Sequence, residues 1–405
     1  MKPRSIHRVA LFPLLAAALL SACSDQLPSD PSAAPVSPRM TVTPTNALAT
    51  LDAGLTHTCG LTSAGQSWCW GRNAGGQLGD SSAAATTVPV ATFQLGGPTF
   101  GGVITAGNSH TCALDTSAAA WCWGYNGDGR LADGSFNLRM APSAVTGGLS
   151  FTAISAGGQH SCALDSSGQG YCWGSNAYGQ VGDSTTAFAY GPTLVKQPAG
   201  VTFVSIQAAD KHTCALASTG QAYCWGFGGE GAVGHGSLIG SRIPVAVSQP
   251  VGVTFTEVVT EYNHSCGLTS GGQAYCWGLN SSSQLGDSTT TNRTSPVAVQ
   301  QPGGLTFAQL STGSAFTCGL DGGGQAWCWG NNGNGQLGIG SLTASRVPAA
   351  VSQPSGVTFT EVRAGGVHGC GLDTVGQAWC WGRNNYNQMG DGTSTQRTSP
   401  VAVSH

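Results

Sequence analysis

The chain has 405 residues and a formal net charge of −3, and only 8% of its residues are charged, against about 25% in an ordinary soluble protein. Three lysines and no basic stretch leave little to neutralise a phosphate backbone, which excludes nucleic acid as a partner. Glycine is abundant at 62 residues, but 11 tryptophans and a 40% hydrophobic share supply the apolar surface that a disordered chain lacks.

The amino terminus reads as an address. Lys2, Arg4 and Arg8 precede an apolar run from Val9 to Leu20, broken only by Pro13. The run is too short to cross a bilayer as a helix and fits a secretory signal over residues 1–22. Leu20-Ser21-Ala22-Cys23 resembles the lipobox of bacterial lipoproteins. That resemblance implies lipidation at Cys23 and a membrane-anchored, exported chain; Ser24 behind it implies the outer membrane. Residues 23–46 hold Pro28, Pro31, Pro35, Pro38 and Pro44 among Ser, Ala and Thr. Prolines at that density deny helix and sheet, so an extended spacer is expected.

Over residues 47–405 one unit occurs seven times. Each copy holds a cysteine pair at a spacing of 10: Cys59/Cys69, Cys112/Cys122, Cys162/Cys172, Cys214/Cys224, Cys266/Cys276, Cys318/Cys328 and Cys370/Cys380. The first cysteine advances by 53, 50, 52, 52, 52 and 52 residues from copy to copy. A period near fifty with strand-like content points to a repeat architecture. Copy seven predicts four strands: 359–362, 368–372, 377–381 and 401–403. The last follows Pro400 and is assigned to an outer edge, where a missing N–H is tolerated. Asp373-Thr374-Val375-Gly376 is a hairpin signal between strands two and three.

A turn centred near Val375 sets Cys370 opposite Cys380, within disulfide reach. Seven such pairs read as disulfides formed outside the cytosol. The missing C-x-x-C spacing speaks against zinc. Period two puts Cys370 on one face with His368 and Leu372. Trp379 and Trp381 take the other, beside Gly369 and Gly371. Small residues against large indoles let neighbouring sheets close over the rings, so both faces of each sheet are expected to be buried.

The second strand reads His-(Thr/Ser)-Cys-(Ala/Gly)-Leu in most copies, and the third leads into Gly71-Arg72-Asn73-Ala74-Gly75-Gly76-Gln77-Leu78-Gly79-Asp80. Together these resemble the repeat of the regulator of chromosome condensation family. The resemblance spans residues 47–405 and implies an all-β fold, a seven-bladed β-propeller of four-stranded antiparallel blades. Phe316 departs from the histidine position, and Phe227-Gly228-Gly229-Glu230-Gly231-Ala232-Val233 departs from the loop.

Chemistry is sparse. His57, His110, His160, His212, His264 and His368 recur once per copy and read as buried residues hydrogen-bonded within their own blade; Phe316 leaves a shared metal ring incomplete. Gly333-Asn334-Gly335-Gln336-Leu337-Gly338 matches G-x-G-x-x-G, but no helix start follows to receive a phosphate, so no cofactor is expected. Asp115, Asp165, Asp321 and Asp373 sit at hairpin turns, where Asp bonds local N–H groups. No nucleophile elbow, carboxylate pair or metal cluster belongs to one copy alone. No catalytic residue is therefore assigned and no enzyme is expected.

Function is expected where the copies differ. The first-to-second and third-to-fourth connections open on one side of the disc, and there Tyr125, Tyr178, Asp210, Lys211, Phe227, Glu230, Tyr262, Asn263 and Tyr386 form the candidate partner-binding face. Copies four and five deviate most, with His235 and Glu261 besides. The expectation is a monomeric, lipid-anchored propeller that binds a protein or an envelope polymer without catalysis. The family resemblance implies two alternatives. One is guanine-nucleotide exchange, as in the eukaryotic founder. The other is inhibition of an enzyme such as a β-lactamase, as in secreted bacterial propellers.

Overall fold

The structure, a computed structural model, describes residues 47–404 except residue 95. The expected signal, Cys23 and spacer lie outside the described residues.

Blade 1 consists of β1 (Leu48–Ala53), β2 (His57–Thr62), β3 (Ser67–Gly71) and β4 (Thr86–Ala91), antiparallel and hydrogen-bonded in that order. Six further four-stranded sheets repeat the pattern. Among the described residues the only helical elements are 3-10 turns at Gly229–Gly231 and Pro302–Gly304. The architecture is a seven-bladed β-propeller. Strand one of every blade lines the axis and strand four forms the outer edge.

The hairpin of strands two and three is the unit of construction. In each ladder the two cysteines lie directly opposite: Cys59 and Cys69, Cys112 and Cys122, Cys162 and Cys172, Cys214 and Cys224, Cys266 and Cys276, Cys318 and Cys328, Cys370 and Cys380. All seven pairs are joined as disulfides, each with Cα atoms 4.1 Å apart, the close approach of a non-hydrogen-bonded pair. Asp373 Oδ1 accepts from the backbone N–H of Val375 and Gln377. That locks the turn whose Gly376 has φ +82°.

Strand four corrects one expectation. It runs Arg397–Ala402 rather than 401–403, and Pro400 lies inside it. Cys380 pairs with Val401 and Gly382 with Arg397, so three residues oppose Trp381 in a bulge. The bulge absorbs the proline on an edge where no ladder bond is lost.

Blades pack through indoles. Trp381 is fully buried, its Nε1 donates to Gln336 O at 2.9 Å, and its ring stacks on Phe359 at 6.1 Å. A Cβ on Gly369 would lie 2.6 Å from the indole, so this small residue is a packing requirement. The same indole-to-carbonyl bond recurs at every junction. It includes the closing one, where Trp70 of blade 1 donates to Gln388 O of blade 7 at 3.0 Å. There Gly366 N also donates to Gly54 O at 3.1 Å and Leu48 N to Gly376 O at 3.0 Å. Each blade is one whole sequence repeat, and the ring closes by packing without an exchanged strand.

Candidate functional site

The cysteines belong to the frame and to no site. Cys122, Cys172, Cys224 and Cys328 on the third strands, like Cys112, Cys162, Cys214 and Cys318 facing them, have no solvent exposure. Their sulfurs are committed to one another, so none can reach a partner or ligate a metal. Cys59, Cys69, Cys266, Cys276, Cys370 and Cys380 are equally buried and equally paired.

The histidines do not bond within their own blade. Each Nε2 meets the Thr or Ser hydroxyl of the next blade: His57 with Thr111, His110 with Ser161, His160 with Thr213, His212 with Ser265, His264 with Thr317, and His368 with Thr58, at 2.8–3.0 Å. The imidazole leaves the sheet on the cysteine face, which looks at the neighbour, so a contact within the blade is out of reach. Thr111, Ser161, Thr213 and Thr317 donate their own protons to loop carbonyls of Gln77, Arg130, Gln180 and Gln284. The hydroxyl oxygen is then left to accept, which puts the imidazole proton on Nε2 and a bare lone pair on Nδ1. That explains why the buried Nδ1 atoms have no partner. Burial pushes His57, His160 and His264 down to about 3, so the rings are neutral. Where Phe316 replaces histidine, the facing residue of blade 7 is Gly369, which has no hydroxyl. Donor and acceptor are lost together, and the ring of histidines is structural.

A channel of about 330 Å³ runs along the axis. The innermost strands are sheet edges with unpaired N–H groups, and polar side chains of neighbouring blades satisfy them. Asp52 accepts from Ala106 N, Thr105 from Ala156 N, Ser155 from Ala208 N, Glu257 from Leu310 N, Gln309 from Val362 N, Ser311 from Ala364 N and Glu361 from Leu51 N, all at 2.8–3.1 Å. Arg363 bridges Glu361 and Asp52. Burial pushes Glu257 up to about 7, against the pull of Leu310 N–H and Arg363. Glu261 differs in kind: it stands where Gly54, Gly107, Gly157, Gly313 and Gly365 stand in other blades. Burial, then Asp210 and Asp52, push it up to about 8. The next residue, Tyr262, adopts φ +48°.

The structure brings Tyr178, Asp210, Lys211 and Phe227 of the expected face together. Tyr178 and Phe227 meet edge-on at 5.2 Å across blades 3 and 4, and the Lys211 ammonium lies 5.7 and 5.9 Å from their rings. Lys211 pairs with Asp210 at 3.8 Å, and Asp210 accepts from Asn108 of blade 2 at 3.1 Å. Tyr125 is covered by Arg130, which stands where five of the other blades carry Gln and binds Asp128 and Gly158 O. Glu230 accepts from Asn263 at 3.3 Å. Tyr262 stands exposed beside the channel residue Glu261. Tyr386 is apart: it stacks under Arg72 at the junction of blades 7 and 1. Asn108, Arg130 and Arg72 were missed. Arg130 breaks the Gln of the loop motif, and that substitution was the readable signal.

The profile of the RCC1-like domain matches residues 147–405, and profiles of the regulator of chromosome condensation (RCC1) repeat match residues 118–164, 49–77 and 104–130. The chain belongs to the RCC1-like family. It is similar to the ultraviolet-B receptor UVR8 of Arabidopsis thaliana, 27% identical over 356 residues, which cover 87% of this chain and 81% of that protein. Its match to the E3 ubiquitin-protein ligase HERC2 of Homo sapiens is 28% identical over 216 residues but spans 4% of that protein. Human WBSCR16 shares the fold at TM-score 0.75 and 22% identity, over 84% of this chain and 94% of that one. Yeast RCC1 (Prp20), solved bound to Kap60, shares it at TM-score 0.75 and 20% identity, over 89% and 86%.

Proposed function

We propose that this RCC1-like propeller is an exported, lipid-anchored, monomeric scaffold of the cell envelope that binds another protein or an envelope polymer and performs no catalysis. The observation that carries the reading is the Asn108–Asp210–Lys211–Tyr178–Phe227 cluster. It joins three blades by contacts that other blades lack. Exposed aromatics on rigid loops beside a fixed charge are what a binding face needs. Relatives in the family support binding as the use of such a frame: UVR8 is named a receptor, and yeast RCC1 is held by Kap60.

The test is photocrosslinking in intact cells from position 125 of the full-length chain, followed by identification of what is attached. Tyr178→Ala with Phe227→Ala is expected to weaken capture of that partner at least tenfold. Undiminished capture by the double variant overturns the assignment of this face. Nucleotide release from a small GTPase, or inhibition of a β-lactamase by the purified chain, would overturn the scaffold reading itself.

A further inference from the structure

Outside the cluster, the outer rim is uneven. In blades 2, 3 and 4 the loops that precede the outermost strands expose Phe136, Leu138, Phe188, Tyr190, Leu238 and Ile239, with Phe136 at 56% and Ile239 at 73% exposure. The positions that correspond to Phe136 are Thr290, Ser394 and Ala83 in blades 5, 7 and 1; Leu342 of blade 6 stands alone. Tyr190 meets Phe136 at 5.1 Å and Phe188 at 6.5 Å, which joins blades 2 and 3 into one surface. Leu238 and Ile239, at 62% and 73% exposure, stand on the corresponding loop of blade 4. A contiguous exposed apolar surface of this kind marks a contact with something.

We propose that this arc rests on an anionic lipid surface. Three arguments favour a bilayer over a protein. Equivalent loops of successive blades lie on one circle about the axis, so their tips share a plane and reach a flat surface together. The charge is complementary: Arg242 and Lys196 are exposed and have no ion-pair partner among the described residues. The nearby Asp133 is neutralised by Arg139, Asp183 is engaged by Asn176 and Thr185, and His235 takes the aspartate place in blade 4. Finally, the lipid anchor proposed above at Cys23 would hold the propeller near a membrane. Aromatic and aliphatic loop tips flanked by cations are what an interfacial contact uses. The side chains of the arc are not those of the Lys211 cluster.

This inference draws on the export reading, and the experiment separates the two. The mature chain from position 23, carrying Cys23→Ser so that no acyl chain contributes, is floated with vesicles of phosphatidylcholine with or without phosphatidylglycerol. Binding to the anionic vesicles is expected. Phe136→Ser with Ile239→Ser should lower it on the order of tenfold, and Arg242→Glu should remove the preference for phosphatidylglycerol, each with an unchanged melting temperature. Failure to float with either vesicle, or flotation indifferent to both variants, overturns the lipid contact. So does a concentration-dependent dimer that the double variant abolishes, since a second copy would then cover the arc. None of these outcomes bears on whether Cys23 is lipidated in cells, which acyl-chain labelling of the unaltered protein reads directly.

Discussion

The junction between blades 5 and 6 offers a controlled test of how neighbouring blades recognise each other. His264 Nε2 donates to Thr317 Oγ1 at 2.9 Å, and Thr317 donates to Gln284 O at 2.8 Å, which Trp329 Nε1 also reaches at 3.0 Å. His264 and Thr317 are both fully buried. His264→Phe with Thr317→Gly installs there the Phe316/Gly369 combination that the chain already uses between blades 6 and 7. Thr317→Gly alone strands a buried imidazole N–H, a loss of about 1–3 kcal/mol, and adds roughly 1 kcal/mol for the glycine backbone. His264→Phe alone removes the bond and forces a larger ring against the threonine, at about 1–3 kcal/mol. Together the changes should cost less than their sum by at least about 1 kcal/mol. The assay is denaturant unfolding of all four proteins with disulfides intact. Costs that add to within about 0.5 kcal/mol would refute the idea that imidazole and hydroxyl are read as a pair.

Glu261 should make stability fall with pH. Its carboxyl sits at about 8 in the folded protein against an ordinary 4.5, so the folded state holds the proton more tightly than the unfolded chain. That contribution is complete below about 4.5, is lost as pH rises toward 8, and is absent above it. The displacement sets a ceiling near 5 kcal/mol, which solvent screening at this half-buried side chain reduces to on the order of 1–2 kcal/mol. Glu261→Gln should therefore melt higher than the parent at pH 9, match it near pH 5 and flatten the profile between; an unchanged profile would contradict the burial argument. Replacing Cys266 and Cys276 by Ala should cost roughly 2–3 kcal/mol, seen as a lower unfolding midpoint that reductant no longer shifts for that blade. Gly286→Ala should cost about 2 kcal/mol or more, because φ there is +68° and the new Cβ would lie 2.7 Å from Trp329 Nε1; near-ultraviolet dichroism and melting temperature report it.

Much of the blade was legible because its constraints lie within one repeat. The cysteine spacing dictates a hairpin register, period two puts the tryptophans opposite small residues, and the repeated Pro marks an outer edge. What was not legible crosses from one blade to the next. No pattern inside a repeat shows that His264 bonds Thr317 of the following copy, or that Phe316 and Gly369 compensate each other. The beginning of strand four hid in polar residues such as Thr398 and Ser399, where a bulge separates the ladder bonds. The inner strands change residue from copy to copy at Asp52, Glu257 and Glu361. These three side chains are acceptors for edge N–H groups, a role visible only once the strands surround an axis. The apolar arc at Phe136, Phe188 and Ile239 escaped because these residues sit at slightly different loop positions in each copy.

Seven sulfur-closed hairpins packed side by side into one ring are the foundation of every property described above. Alkylation of the native protein in denaturant without reductant, followed by peptide mass analysis, reads them directly. None of the cysteines from Cys59 to Cys380 should be alkylated, and each pair should appear as one linked peptide, Cys59 with Cys69 through Cys370 with Cys380. Alkylation at most of these positions, or links between different repeats, would contradict the stapled ring.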